Sequence, residues 1–176
     1  MRTAVIYEGP VGTRVQTDEV VIIGTSSEGL LQVAREQAQA GADRIELCGG
    51  VSARVYAAVK ADLGPGVEVG LNRYEFDSLE AIAAYKTAFG NGEKTTEMFL
   101  YRAEGADPAR DRVAHGGTTF VAVPDDAAVG HVVTELLGKP HTLIELYAGL
   151  GAVAAAVALD ATDATVPVGF VGYDVG

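Results

Sequence analysis

Apolar and polar positions along this chain fall into short runs bounded by Gly, Pro, Ser and Asp, and the runs form two similar series. β-Branched and aromatic residues predict strands near 3–8, 20–25, 43–48 and 67–74, then near 97–103, 118–124, 142–147 and 166–173. Between the second and third strands of each series the apolar spacing becomes helical, near 27–40 and 126–138. Val129, Val132, Val133, Leu136 and Leu137 mark one face of the later helix. Asp125 or Asp126 caps its start, and Gly138 followed by Pro140 stops it. A second helix follows each third strand, roughly 52–63 and 151–160. From Ala152 to Leu159 no side chain is polar. A helix apolar all round is expected to be buried on both faces, at a copy–copy or subunit interface, which makes a homo-oligomer through 152–159 an expected partner.

The two series are an internal repeat. Arg44-Ile45-Glu46-Leu47-Cys48-Gly49-Gly50 returns as Leu143-Ile144-Glu145-Leu146-Tyr147-Ala148-Gly149, and Val69 to Glu75 returns as Val168 to Asp174, both at a spacing of 99 residues. This divides the chain into repeat 1 (1–77), an extra helix with a connector (78–96) and repeat 2 (97–176). Asp77 and Glu80 form the expected capping pair of the extra helix, Ser78 to Phe89, and Gly90-Asn91-Gly92 ends it. The first interstrand loop is five residues longer in copy two, from Gly105 to Arg112. The expected fold is α/β, two tandem ββαβαβ repeats packed as a pseudo-twofold dimer. The alternative is a closed eight-stranded β/α barrel built from two half-barrels. A full barrel of that kind usually takes ~250 residues and a helix after every strand, which favours the pseudo-dimer.

Composition narrows the function. An apolar content of 48% with 21% charged residues is that of a globular chain with a core. A net charge of −11 without any basic run argues against nucleic acid. No apolar stretch approaches the ~18 residues of a membrane span. Cys48 is the single cysteine, so no internal disulfide forms, and a reducing cytoplasm is expected. No metal site is expected, because His115, His131 and His141 lack ligand spacing. No cofactor is expected either: Gly49-Gly50 and Gly149 follow strands, but neither a GxGxxG nor a P-loop lysine accompanies them.

Gly105-Ala106-Asp107-Pro108, Ile45 to Gly50 and Val166-Pro167-Val168-Gly169 together carry a resemblance to a family of short, uncharacterised bacterial proteins. Its stand-alone members are about half this length, so the chain looks like a fused, diverged dimer of them. Copy one lacks the Ala-Asp-Pro loop, and copy two has Tyr147-Ala148 in place of Cys-Gly. The resemblance implies a fold and an ancestry and names no activity. A narrower likeness joins Gly41 to Cys48 to the opening of the CutC copper-homeostasis barrels. Copper binding asks for more thiol, thioether or imidazole than Cys48 alone supplies.

Candidate chemistry sits on the repeated strands. Glu46 and Cys48 share one face of theirs, and Ile45 and Leu47 point to the other, which the helices cover. Glu46 and Glu145 are thereby expected on the opposite face, where the copies meet. A buried carboxylate must be paired, hydrogen-bonded or protonated, and two in one pocket make an acid/base pair. A purely structural role, accepting backbone N–H bonds or pairing with an arginine, is the competing account of each. Tyr74 and Tyr173 are repeat equivalents, as are Tyr7 and Tyr101; with Tyr147 these five lie at strand ends and are expected to line a cavity. Asn72 and Arg73 become Val171 and Gly172 in copy two, and Cys48 becomes Tyr147, which suits one asymmetric pocket. Arg73 is the expected contact for a substrate carboxylate or for Glu46, with Asn72 and Cys48 as further lining.

The expected function is a cofactor-independent small-molecule enzyme of the lyase, isomerase or cyclase kind. Glu46 and Glu145 are its acid/base groups, in a pocket between the repeats. The alternatives are a non-catalytic small-molecule binding protein and a structural or assembly module.

Overall fold

A computed structural model describes residues 1–139 and 142–174; Pro140 and His141 lie outside them. It forms two compact units, one of Met1–Asn72 with the chain from Val171 onward, the other of Arg73–Phe170.

In the first unit, β1 (Thr3–Glu8), β2 (Arg14–Gln16), β3 (Val20–Thr25), β4 (Arg44–Leu47) and the start of β5 (Glu68–Tyr74) form a sheet in the order β2-β3-β1-β4-β5. All neighbours are parallel except β2, which runs antiparallel to β3. The expected ββαβαβ unit therefore gains a fifth, short strand between its first two. The reason is geometric. Parallel strands need a return path as long as a strand, and here no helix supplies it. An extended segment spans ~3.3 Å per residue, so 9–19 descends as β2 and turns back into β3. Helix α1 (Leu30–Gln39) packs on β1, β4 and α2 (Ala53–Leu63). Ser52 caps α2 by accepting from the Val55 N–H.

The second unit repeats the plan. Its strands are β6 (Thr96–Arg102), β7 (Arg112–His115), β8 (Thr118–Val123), β9 (Thr142–Tyr147) and the start of β10 (Val168–Tyr173), ordered β10-β9-β6-β8-β7. Here β7 is the antiparallel return strand. The helices are α3 (Leu79–Gly90), α4 (Asp126–Leu136) and α5 (Ala152–Thr162). Leu100, Val121, Ile144, Leu146 and Val168 pack with Val129, Val132 and Val133 of α4 and with Ala154, Ala155 and Ala158 of α5 into one core. A Cβ on Gly130 of α4 would stand 2.9 Å from Val157 of α5, so the glycine permits this close helix contact. Asp125 caps α4 through the Ala128 N–H, as its position predicts.

Two expectations need correction. Asp77 and Glu80 do not cap α3; its N-cap is Ser78, which makes no cap bond. The Ser78 hydroxyl instead donates to the Val168 carbonyl (3.2 Å) and accepts from the Val168 N–H (3.0 Å), tying the helix start to β10. Within one chain, helix α5 is covered on one face only, so no copy–copy contact buries the other. Ala154, Ala155 and Ala158 face the core, while Ala152, Val153 and Ala156 are exposed, Val153 by 67%. Alanine is so small and so strong a helix former that an all-apolar run keeps its helix with one face uncovered within the chain. No helix among the described residues is long and apolar enough to cross a membrane.

Candidate functional site

Each unit carries a buried glutamate on the sheet face away from its helices. In the first, Glu46 of β4 lies in register between Val5 of β1 and Gly70 of β5. It is 0% exposed. Gly70 is what admits its partner. A Cβ there would stand 2.4 Å from Val171 and 2.5 Å from the Tyr173 ring. With that space open, the Tyr173 hydroxyl donates to Glu46 Oε1 at 2.5 Å. Arg44, two residues before Glu46 and on the same face, sets its guanidinium 4.7 Å over the Tyr173 ring and 2.6 Å from Glu68. Burial pushes the Tyr173 phenol well above its ordinary range; the Glu46 carboxylate adds to the shift and Arg44 opposes it. Cys48, Tyr7 and Asn72 are buried in the same unit. The Cys48 Sγ accepts from the Glu8 N–H at 3.5 Å.

In the second unit, Glu145 of β9 lies between Phe99 of β6 and Gly169 of β10 and is 2% exposed. The Tyr74 hydroxyl donates to its Oε1 at 2.7 Å, and the Tyr147 hydroxyl donates to its Oε2. The fully buried Tyr147 ring packs 5.3 Å from Phe99, which meets Phe120 edge-on at 5.6 Å. Tyr101 is buried beside Tyr147 in register, and burial, with Asp111 adding, raises its phenol. Further along the strands, Glu97 accepts from Tyr85 of α3 (3.2 Å) and from Thr118 (2.6 Å). Burial also raises the Tyr85 phenol.

The five tyrosines thus divide, Tyr7 and Tyr173 in one unit and Tyr74, Tyr101 and Tyr147 in the other. The unit boundaries fall within β5 and β10, so Tyr74 of copy one serves the glutamate of copy two, and Tyr173 of copy two serves that of copy one. Arg73 is exposed, and strand alternation sets it on the face of β5 opposite Asn72 and Tyr74. The sequence reading does not anticipate the clearance at Gly70 or the Arg44 cation. Gly70 and Gly169 are repeat equivalents, each beside a buried glutamate, and that equivalence is the signal that identifies them.

A carboxylate aligned with phenol donors can exchange a proton with a neighbouring group, and the phenols can stabilise an oxyanion. The raised phenols also set an alkaline limit on the fold. Tyr85, Tyr101 and Tyr173 start from 10.0 and are held above it in the native chain. Above that pH the unfolded chain loses these protons while the native chain keeps them, so stability is full below and falls as pH rises. Each phenol contributes up to about 1.4 kcal/mol per pH unit. Urea midpoints measured from pH 8 to 11.5 should hold steady and then drop, with tyrosinate absorbance appearing together with unfolding. A flat midpoint would refute this.

Neither a curated protein nor a solved structure matches the chain. A family model does match it, twice, over residues 11–87 and 95–176, one match on each copy of the repeat. Between them these matches span nearly the whole sequence, and the chain belongs to the family of unknown function DUF6506, as a tandem duplication of its pattern.

Proposed function

We propose that this protein is a cofactor-independent enzyme that moves a proton on a small molecule, of the isomerase, lyase or cyclase kind. Glu46 and Glu145 are its acid/base groups, and Tyr173 and Tyr74 are the hydroxyl donors beside them. One observation carries the reading. Two repeat-equivalent glutamates are buried almost completely, and each receives a phenol O–H from the other copy of the repeat. A fold has little reason to bury a carboxylate twice at a cost of several kcal/mol when an apolar residue would pack as well. A carboxylate and a phenol at hydrogen-bond distance are the minimum set for abstracting a proton next to a carbonyl and holding the resulting oxyanion.

The test is deuterium wash-in. A panel of small ketones, aldehydes and oxo acids is incubated with the protein in heavy water and followed by proton NMR. Exchange at one carbon of one compound class, above the buffer rate, is the expected result. The competing reading is a non-catalytic binding protein, and the double capping of Glu145 by Tyr74 and Tyr147 favours it. Ligand-induced shifts without exchange would establish that reading instead.

Cys48, buried and the single cysteine of the sequence, supports a reducing cytoplasmic setting. Homo-association through the exposed residues of α5 is the assembly we propose. Light scattering over a concentration series should show a dimer that Val153→Lys converts to monomer, and a native chain monomeric throughout sinks it.

A further inference from the structure

The two glutamates are repeat equivalents that keep different company. In copy two, the residue two places after Glu145 is Tyr147, whose phenol is a second O–H donor to that carboxyl. In copy one, the residue two places before Glu46 is Arg44, a cation. Counting 99 residues on, Arg44 becomes Leu143, and its anionic neighbour Glu68 becomes Pro167. By sequence, the ion pair belongs to copy one. Arg44 and Glu68 stand opposite each other in register on β4 and β5. Arg44 Nε donates to Glu68 Oε2 at 2.7 Å, and a second guanidinium nitrogen lies 2.6 Å from the same oxygen. The Arg44 side chain is 17% exposed and that of Glu68 49%, so the carboxylate holds the cation from the solvent side. The guanidinium carbon lies 4.7 Å from the centroid of the Tyr173 ring, whose hydroxyl donates to Glu46. From water inward the order is Glu68, Arg44, Tyr173, Glu46.

We propose that Arg44 is the positioning residue of the Glu46 site: fixed by Glu68, it seats the Tyr173 phenol on the carboxyl and supplies the positive charge that keeps the buried pair anionic. A buried carboxylate needs compensation by charge or by hydrogen bonds. Copy two adds a phenol to that end, and copy one adds a guanidinium that acts across the ring. The attraction is mutual. Burial works against the Arg44 cation, but Tyr173, Glu68 and Glu46 together outweigh it and hold its pKa above the ordinary value. Arginine suits the task because its flat guanidinium lies on a ring face while its edge engages a carboxylate, and its charge is permanent. The inference deepens the proton-transfer reading and rests on it for one point only: the anion kept here is the base that takes the proton.

The test reads the charge on Glu46 directly. Glutamate is labelled with ¹³C at the side-chain carboxyl, the Glu46 resonance is assigned with Glu46→Gln, and its midpoint is followed over a pH series. The other charged and titratable groups on that side of the neighbouring strands are Tyr7 of β1, Arg44 and Cys48 of its own strand and the turn after it, Glu68 of β5 and Tyr173 of β10. Arg44→Leu, which installs the residue of copy two, should raise the midpoint by about one pH unit or more. Arg44→Lys keeps a cation and should restore most of the native value. Arg44→Gln serves if Arg44→Leu does not fold. An unmoved midpoint in a folded Arg44→Leu or Arg44→Gln overturns the proposal, because a side chain that only packs changes stability and leaves the carboxyl titration in place. Deuterium wash-in should fall about ten-fold in Arg44→Leu and recover in part in Arg44→Lys. A raised midpoint with no wash-in by the native chain on any compound would keep Arg44 in this role and remove the enzyme reading. Native wash-in with an unmoved midpoint in the variants would do the reverse.

Discussion

Glu145→Leu is expected to destabilise the protein by about 2–5 kcal/mol, whereas Glu145→Gln should stay within about 1.5 kcal/mol of the native chain and lose about 10²- to 10⁴-fold in proton transfer. The asymmetry follows from who donates to whom. Tyr74 and Tyr147 both give their O–H to this carboxyl, one to each oxygen. Leucine leaves both without that acceptor, and a buried donor left unsatisfied costs about 1–3 kcal/mol. Tyr147 is fully buried and bears the larger share; Tyr74 is half-buried, and water relieves it in part. Glutamine keeps one carbonyl oxygen for one phenol. The other phenol rotates its hydrogen away and accepts from the new NH₂ group, so the shape and the bond count survive. What glutamine cannot do is take up a proton. Urea midpoints measure the first contrast and deuterium wash-in the second. Equal destabilisation by the two variants would mean that the charge itself holds the fold. A stable Glu145→Leu would mean that the phenols satisfy themselves elsewhere.

That pair of variants separates two roles the sequence alone leaves joined. Strand and helix positions are legible in the chain because each copy presents the same runs of apolar residues between the same breakers. The predicted strand 20–25 is β3, and the predicted helix 126–138 is α4 without its last two residues. The face assignment follows as directly: alternation alone separates Glu46 from Ile45 and Leu47. Other features depend on distant partners, and local pattern cannot carry them. Strands β2 and β7 are three and four residues long and mostly exposed, so no apolar run announces them. Ser78 reads as a helix-start residue, but its hydroxyl is drawn off by the backbone of Val168, 90 residues on. The outer face of α5 reads as buried from its hydropathy, but pattern alone does not say that the covering partner is absent from its own chain. The tyrosines are legible as strand-end residues. That Tyr74 serves Glu145 and Tyr173 serves Glu46 is a matter of which strand end lies over which glutamate, and it becomes visible only when the chain is folded.

Gly70 shows how narrow that arrangement is, and Gly70→Ala is expected to cost about 2–3 kcal/mol. The single methyl group it adds would stand 2.4 Å from Val171 Cγ1 and 2.5 and 2.9 Å from the Tyr173 ring. Val171 can turn its side chain away, but the ring is a rigid plate held on one side by the Arg44 guanidinium. It can clear the methyl only by lifting off, and lifting breaks the bond from its hydroxyl to Glu46. Part of the cost is therefore that bond and the desolvated carboxylate it leaves behind. A double-mutant cycle isolates this share. If the alanine acts by dislodging the ring, adding Tyr173→Phe to Gly70→Ala should cost clearly less than Tyr173→Phe costs alone, with a coupling of about 1 kcal/mol. Full additivity would mean that the ring stays seated and that the backbone or Val171 absorbs the methyl. Gly50→Ala is the control, since its Cβ would meet only Cys48 Sγ, at 3.9 Å, which is ordinary contact. That variant should be neutral or slightly stabilising through the lower entropy of its unfolded chain. A glycine beside the carboxylate, intolerant of even one methyl group, would show that the fold keeps this clearance for seating a phenol over Glu46, the contact on which the proposed chemistry depends.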